Sequence, residues 1–288
     1  MAKILTAGVA VLDFIFYVDE MPRKSEKYRA VDAAVSGGGN AANAAVAIAR
    51  LGGDAMLAAR LGSDAAGDQI LAGLKDENVD ISMVYRGVDA KSSYSSVLID
   101  AHGERQIVNF RGSGLALDTA WLEPAPRVDA VLADNRWPPL TRKAIEVAKA
   151  QQIPCVIDVE APLDLNDLHG ATHLAFSEQG LMSISDNSDI DEVLEIVHKS
   201  TSAWVCVTLG ERGVRYRSPE GFGTAVSEPV DAVETLGAGD VWHGAFALKL
   251  AEGNSEIKSM AYANQAASLK CTRSGGRASY PYSHELEK

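Results

Sequence analysis

Beyond residue 120 the chain alternates short apolar runs with helical patterns, and few architectures accept such a chain. The runs Ala130 to Ala133, Cys155 to Val159, His173 to Phe176 and Ala203 to Leu209 are short and nearly continuous in apolar residues, as strands buried on both faces are. Helical patterns separate them near Thr141 to Gln151 and Ile190 to Ser200. The resulting βαβα order predicts an α/β fold whose parallel sheet carries helices on both faces.

The first half fits this plan with interruptions. Lys3 to Leu12 reads as a buried strand and its exit turn; Asp13 follows too early, and without a cleavage site, for a signal peptide. Ala41 to Leu51 is an alanine-rich helix closed by Gly52-Gly53, followed by the run Ala55 to Leu61 and a helix near Gly67 to Asn78. Phe14 to Val18, Tyr28 to Val35, and Ser93 to Ile99 with Arg105 to Phe110 break the alternation and read as antiparallel strands. The last pair is joined by a turn at Asp100-Ala101-His102-Gly103. The expectation is one domain, 1–288, with lid strands inserted at about 13–35 and 92–112 over the carboxyl ends of the parallel strands. Residues after about Tyr282 read as a loose or short helical tail.

Charge narrows the partners. The formal net charge of −12 argues against nucleic acid or an anionic membrane surface. No apolar run reaches the roughly 18 residues that span a bilayer. Cys155, Cys206 and Cys271 lie in apolar surroundings without metal-ligand spacing and read as reduced thiols of a cytoplasmic protein.

The segment with most chemical content is Glu234-Thr235-Leu236-Gly237-Ala238-Gly239-Asp240, which runs into an apolar helix. Two glycines let the backbone N–H groups approach a ligand, and the helix N-terminus favours an anion. Asp240 sits in that first turn, either as a plain cap or as a base that accepts a hydroxyl proton, and the helix field is expected to keep it ionised. No P-loop pattern occurs, and the Rossmann fingerprint fails because Trp242 stands three residues after Gly239.

Other pieces are weaker alone. In Ser36-Gly37-Gly38-Gly39-Asn40-Ala41-Ala42-Asn43, the glycines and Asn40 make a capped turn, or they bring amides to a polyol. Asp13 is a turn residue or an acceptor for sugar hydroxyls. Thr208-Leu209-Gly210-Glu211-Arg212-Gly213 is an ordinary loop or a second cradle, for nucleotide phosphates.

Taken together and in order, Asp13, Gly38-Gly39-Asn40, Val207-Thr208-Leu209-Gly210 and Gly237-Ala238-Gly239-Asp240 resemble the ribokinase-like (PfkB) carbohydrate kinases along essentially the whole chain. The resemblance implies the ribokinase-like three-layer fold, ATP and Mg²⁺, and phosphoryl transfer to a sugar. It implies Asp240 as base and Gly237, Ala238 and Gly239 as anion hole. Asp13, Gly39, Asn40 and Asn43 would line the sugar site, with Thr208, Gly210 and Gly213 at the nucleotide phosphates and Asn264 at the adenine. Where relatives carry Asn-x-x-Glu near the metal, this chain reads Ser177-Glu178-Gln179-Gly180, which leaves Glu178 as the candidate metal ligand. Glu234 stands where many relatives have an aspartate contributing to a monovalent-cation site. A homodimer formed through the lid is also expected.

Within that family, Ala90-Lys91-Ser92-Ser93, Gly103-Glu104-Arg105, Leu132 through Trp137, Ala175 through Glu178 and Leu269 through Arg277 look like the bacterial 6-deoxy-6-sulfofructose kinases. That likeness implies Lys27, Asn109 and Arg136 as ligands of a sulfonate, a set able to hold a permanent anion. Fructose 6-phosphate, 2-keto-3-deoxygluconate and ribose remain as acceptors, and a silent sugar–nucleotide sensor as the reading outside catalysis.

Overall fold

The computed structural model describes residues 1–185 and 189–286. Seven strands form the parallel body of the main sheet: β1 (Lys3–Ala7), β4 (Asp54–Gly62), β5 (Asp80–Gly87), β8 (Ala130–Asp134), β9 (Cys155–Val159), β10 (His173–Ser177) and β11 (Trp204–Thr208). The hairpin β12 (Val214–Ser218) and β13 (Gly221–Ala225) adds two antiparallel strands at one edge. The order is β13-β12-β11-β10-β9-β8-β1-β4-β5. The lid is a separate sheet of β2 (Val11–Tyr17), β3 (Asp32–Gly38), β6 (Ser93–Ile99) and β7 (Arg105–Phe110), ordered β3-β2-β6-β7.

The pleat of the main sheet divides the core in two. Ile4, Ala130 and Leu132 face a cluster built with α1 (Asn40–Arg50), α2 (Ala65–Asp76), α6 (Ala238–Ala251) and α7 (Glu256–Cys271). Leu5, Ala7, Val131 and Ala133 face the other cluster, built with α3 (Pro138–Gln151), α4 (Glu178–Met182) and α5 (Ile190–Thr201). The strands read as uniformly apolar because helices cover both sides. α6 has no polar stripe along its first three turns, since Val241, Trp242, His243, Ala245, Phe246, Ala247 and Leu248 are all buried.

The register sets the site. β8 and β9 pair Asp134 with Asp158, and β10 and β11 pair Ser177 with Thr208, so polar residues at or next to the strand ends line one carboxyl edge.

Three sequence expectations change. β2 and β3 extend into Val11–Tyr17 and Asp32–Gly38, and Tyr28 lies outside β3, its hydroxyl accepting from the amides of Arg23 and Lys24 at 3.2 and 3.1 Å. Glycines Gly37 and Gly38 therefore lie inside a strand. A Cβ at Gly38 would stand 2.0 Å from Asp13 Oδ2, and one at Gly37 1.8 Å from the guanidinium of Arg277. Second, the lid is mixed: β2 runs parallel to β6. Third, β5 and the β12–β13 hairpin had no clear periodic signal, because their residues are only partly buried. The tail contains a short 3₁₀ turn, Ser283–Glu285, and its last two positions lie outside the described residues.

Asp64 joins the two sheets. Its side chain caps α2 through the Gly67 amide at 3.0 Å and accepts the Ser92 amide at 2.9 Å and hydroxyl at 2.6 Å, at the entrance to β6. Burial opposes these bonds, yet they hold its carboxyl below the ordinary range. Asp64→Ala is expected to cost about 1–2 kcal/mol. A scanning calorimetry trace should show Tm lower by a few degrees; an unchanged Tm would contradict this role.

Candidate active site

The turn before α6 begins at Gly237, whose φ of 77° is left-handed and whose Cβ would stand 2.4 Å from the Tyr280 hydroxyl. Both facts require glycine. Ala238 N–H is taken by the Thr235 carbonyl at 3.1 Å, so the donors that the first helical turn leaves over are those of Gly239 and Asp240. A Cβ on Gly239 would meet nothing within 4 Å, so this face of the turn is open. Of the expected anion-hole residues Gly237, Ala238 and Gly239, Ala238 therefore has its amide engaged within the turn.

Asp240 is held from the side. Its Oδ2 accepts from Asn43 Nδ2 at 2.7 Å, and Asn43 Oδ1 accepts from Arg277 Nε at 2.7 Å. Arg277, only 8% exposed, also donates to the Gly38 carbonyl at 3.1 Å. Asn43 lies one turn into α1, so a single carboxamide links α1, α6 and the segment after α7. It holds the Asp240 carboxylate in place with one Nδ2 hydrogen, while one lone pair of its Oδ1 is taken by Arg277.

The helix field does not keep Asp240 at an ordinary carboxylate pKa. Burial, followed by the nearby Asp158 carboxylate, pushes it up to about 7, against the pull of Asn43 and Arg277. Asp134 is likewise raised by burial, to about 6, although the amides of Val9 and Arg136 hold its oxygens at 2.7 and 3.1 Å. Asp158 Oδ2 accepts from Asn40 Nδ2 at 2.8 Å and lies 3.6 Å from Nδ1 of His243, a buried imidazole with neither nitrogen hydrogen-bonded.

One cavity of about 410 Å³ opens between the lid and the carboxyl edge, with Asp13, Gly39, Asn40 and Asn109 in its wall. Asp13 is raised by burial, while Ser95 and Arg277 pull it down. Asn109 donates to Ser95 Oγ at 3.0 Å. Three arginines share the wall: Arg60, Arg111 and Arg136. Arg136 is paired with Glu160 and donates to the Ala161 carbonyl at 3.1 Å. The Arg60 guanidinium lies 3.6 Å over the Trp137 ring, and its pKa is lowered by burial. Among the described residues neither Arg60 nor Arg111 has a carboxylate partner. Lys27 sits in the exposed segment between β2 and β3 and does not line this cavity.

A second cavity, also about 410 Å³, lies on the other side of the turn, walled by Thr208, Gly210, Gly213, Trp242 and Asn264. Thr208 ends β11, and its hydroxyl donates to the Phe176 carbonyl at 3.3 Å. Asn264 is committed within the protein: it accepts from Trp242 Nε1 at 2.7 Å and donates to the Val226 carbonyl at 3.1 Å. It forms part of the wall of this cavity, where the nucleotide-side residues were expected. Leu236 faces the first cavity, whereas Thr235, Ala238 and Gly239 face the second, so this turn stands between the two.

The metal expectation fares differently. Both oxygens of Glu178 accept from Arg212 at 2.6 Å, so it does not fit a free metal ligand. Among the described residues no group of three or more His, Cys, Asp or Glu is set to hold a metal ion. Sequence reasoning missed Arg60 and Arg277. Arg60 was visible as a lone charge near the carboxyl end of the apolar run Ala55 to Leu61, whereas Arg277 follows two glycines in a stretch without periodicity.

The pfkB family carbohydrate kinase profile matches residues 1–282. A ribokinase of Bacillus subtilis is 29% identical over 295 residues, spanning 100% of this chain and 99% of its own. The structure of Arabidopsis thaliana ribokinase complexed with ribose and ATP superposes with a TM-score of 0.86 at 23% identity, covering 99% of this chain and 97% of that one. Phosphofructokinase-2 of Escherichia coli in complex with potassium superposes with a TM-score of 0.82 at 22% identity, covering 100% and 97%. The fold is ribokinase-like. Matched over nearly its whole length, the chain belongs to the pfkB family of carbohydrate kinases and is a phosphotransferase.

Proposed function

We propose that this ATP-dependent kinase phosphorylates a hydroxyl of a small anionic sugar, with Asp240 as the base. The observation that carries this reading is the turn from Thr235 to Gly239, which has a cavity on each side and Asp240 at its helical end. ATP fits the side of Thr208, Gly210 and Gly213, and the acceptor fits the side of Asp13, Gly39 and Asn40. Mg²⁺ would enter mainly on the nucleotide phosphates, and supplies charge neutralisation when bound.

The chemistry assigned to the chain is positional. The Asp240 carboxylate accepts the proton of the sugar hydroxyl as that oxygen bonds to the γ-phosphorus. The bond from phosphorus to the β,γ-bridging oxygen breaks, and ADP leaves. The Gly239 and Asp240 amides face the charge on the transferred group, while Asn43 keeps Asp240 oriented.

An anionic acceptor is favoured by Arg60 and Arg111, two cations without carboxylate partners among the described residues, beside the acceptor cavity, with Arg136 close by. Among anionic ketoses, 6-deoxy-6-sulfofructose phosphorylated at its 1-hydroxyl is our candidate from the sequence likeness; the relatives named above lend it no support. Their ribokinase names favour ribose as the second reading. The lid's outer face exposes Phe16, Val35, Tyr94 and Val108, which suits the homodimer expected through the lid. No described helix is long and apolar enough to cross a membrane.

A coupled ADP-release assay against sulfofructose, fructose 6-phosphate, 2-keto-3-deoxygluconate and ribose tests the reading. Turnover is expected with an anionic ketose; ATP consumption with none would leave a sugar–nucleotide sensor. Asp240→Asn should lower kcat by roughly 10²–10⁴-fold, and near-normal kcat would remove the base assignment. The same variant should melt higher than the wild type at pH 8. A carboxyl raised to about 7 holds its proton more tightly when folded, so stability declines as pH rises from about 4 to 7, and the amide escapes that loss. Arg60→Met and Arg136→Ala should each raise KM for the anionic sugar by about tenfold or more while sparing ribose; an equal rise for both would remove these side chains from an anion site.

A further inference from the structure

Lys270, near the end of α7, is fully buried. Its ammonium lies 2.8 Å from the Glu234 backbone carbonyl and 3.0 Å from Glu234 Oε1. The same carboxylate accepts the amides of Gly276 at 3.1 Å and Gly275 at 3.2 Å. The amides of Val233 and Glu234 in turn donate to the Cys271 carbonyl at 2.8 and 3.1 Å. Burial would raise the Glu234 carboxyl, but Lys270 and the two glycine amides outweigh it and hold it below the ordinary range. The segment that enters the catalytic turn is therefore fastened to α7 by a cation that none of the chemistry above uses.

A carbonyl and a carboxylate oxygen are the donors an alkali cation would seek, and the family likeness puts Glu234 beside such a cation. The residues here do not fit an exchangeable ion. A second monovalent cation sharing these Glu234 oxygens would stand against the buried ammonium. We propose that the Lys270 ammonium is a tethered replacement for that cation, so the turn from Thr235 to Gly239 is ordered without potassium or sodium. The effect on turnover rests on the kinase reading, whereas the effect on stability does not.

The test compares the full-length protein in potassium chloride and in tetramethylammonium chloride at equal ionic strength. An ion bound to the native state raises Tm by mass action. The wild type is expected to melt at one temperature in both salts and to turn over within about twofold in both. A potassium-specific rise in its Tm, or a potassium-specific gain in kcat of about tenfold, would overturn the proposal. Lys270→Met should lose turnover in tetramethylammonium chloride, recover part of it with potassium or ammonium, and acquire a potassium-dependent Tm. Wild-type kcat for that variant in tetramethylammonium chloride would equally overturn it. Should Lys270→Met not fold, the wild-type salt comparison decides alone. Should no sugar be phosphorylated, the melting curves still decide, and that failure falls on the kinase reading.

Discussion

The Asn43 carboxamide is the contact on which the site depends. It donates to Asp240 and accepts from Arg277, both at 2.7 Å, and so uses one side chain to fix a carboxylate and a buried guanidinium. A charge buried without a partner is expensive, so each of these groups would be costly alone. The strand β3 answers to the same contact. Arg277 passes over Gly37 and Asp13 lies against Gly38, so β3 gives up two side chains to bring the lid close to Asp240. Lid, helix and the Asp240 carboxylate share one set of hydrogen bonds.

The carboxyl edge concentrates negative charge that the fold then has to hold. Asp134, Asp158 and Asp240 lie close enough for their charges to interact, and burial lifts Asp134 to about 6 and Asp240 to about 7. A base near neutrality is suited to taking a proton from an alcohol at physiological pH. It is also a source of strain in the folded state, as sites selected for chemistry often are. Lys270 meets a similar demand at Glu234 with a fixed charge, beneath the same turn.

Much of this was legible in the sequence, for identifiable reasons. Strand position followed from apolar runs such as Cys155 to Val159, because burial on both faces removes ambiguity. The turn into α6 was legible because glycines at 237 and 239 with an acid at 240 combine rare backbone freedom with charge. What escaped were contacts between distant segments. Arg277 meets Asn43 across 234 positions, and Asp158 meets Asn40 across 118, which no local spacing encodes. The direction of Asp240's pKa escaped for the same reason: the helix dipole was local and visible, whereas the burial and Asp158 that overrule it are tertiary.

The most direct measurement of the account is the pH dependence of kcat/KM for the preferred sugar, which reports the ionisation of the free enzyme's base. The account predicts an acid limb with an apparent pKa of about 7, moving upward when Asn43→Leu removes the hydrogen bond that favours the ionised form. A limb at about 4, the value of an unperturbed aspartate, or one that ignores the loss of Asn43, would contradict it.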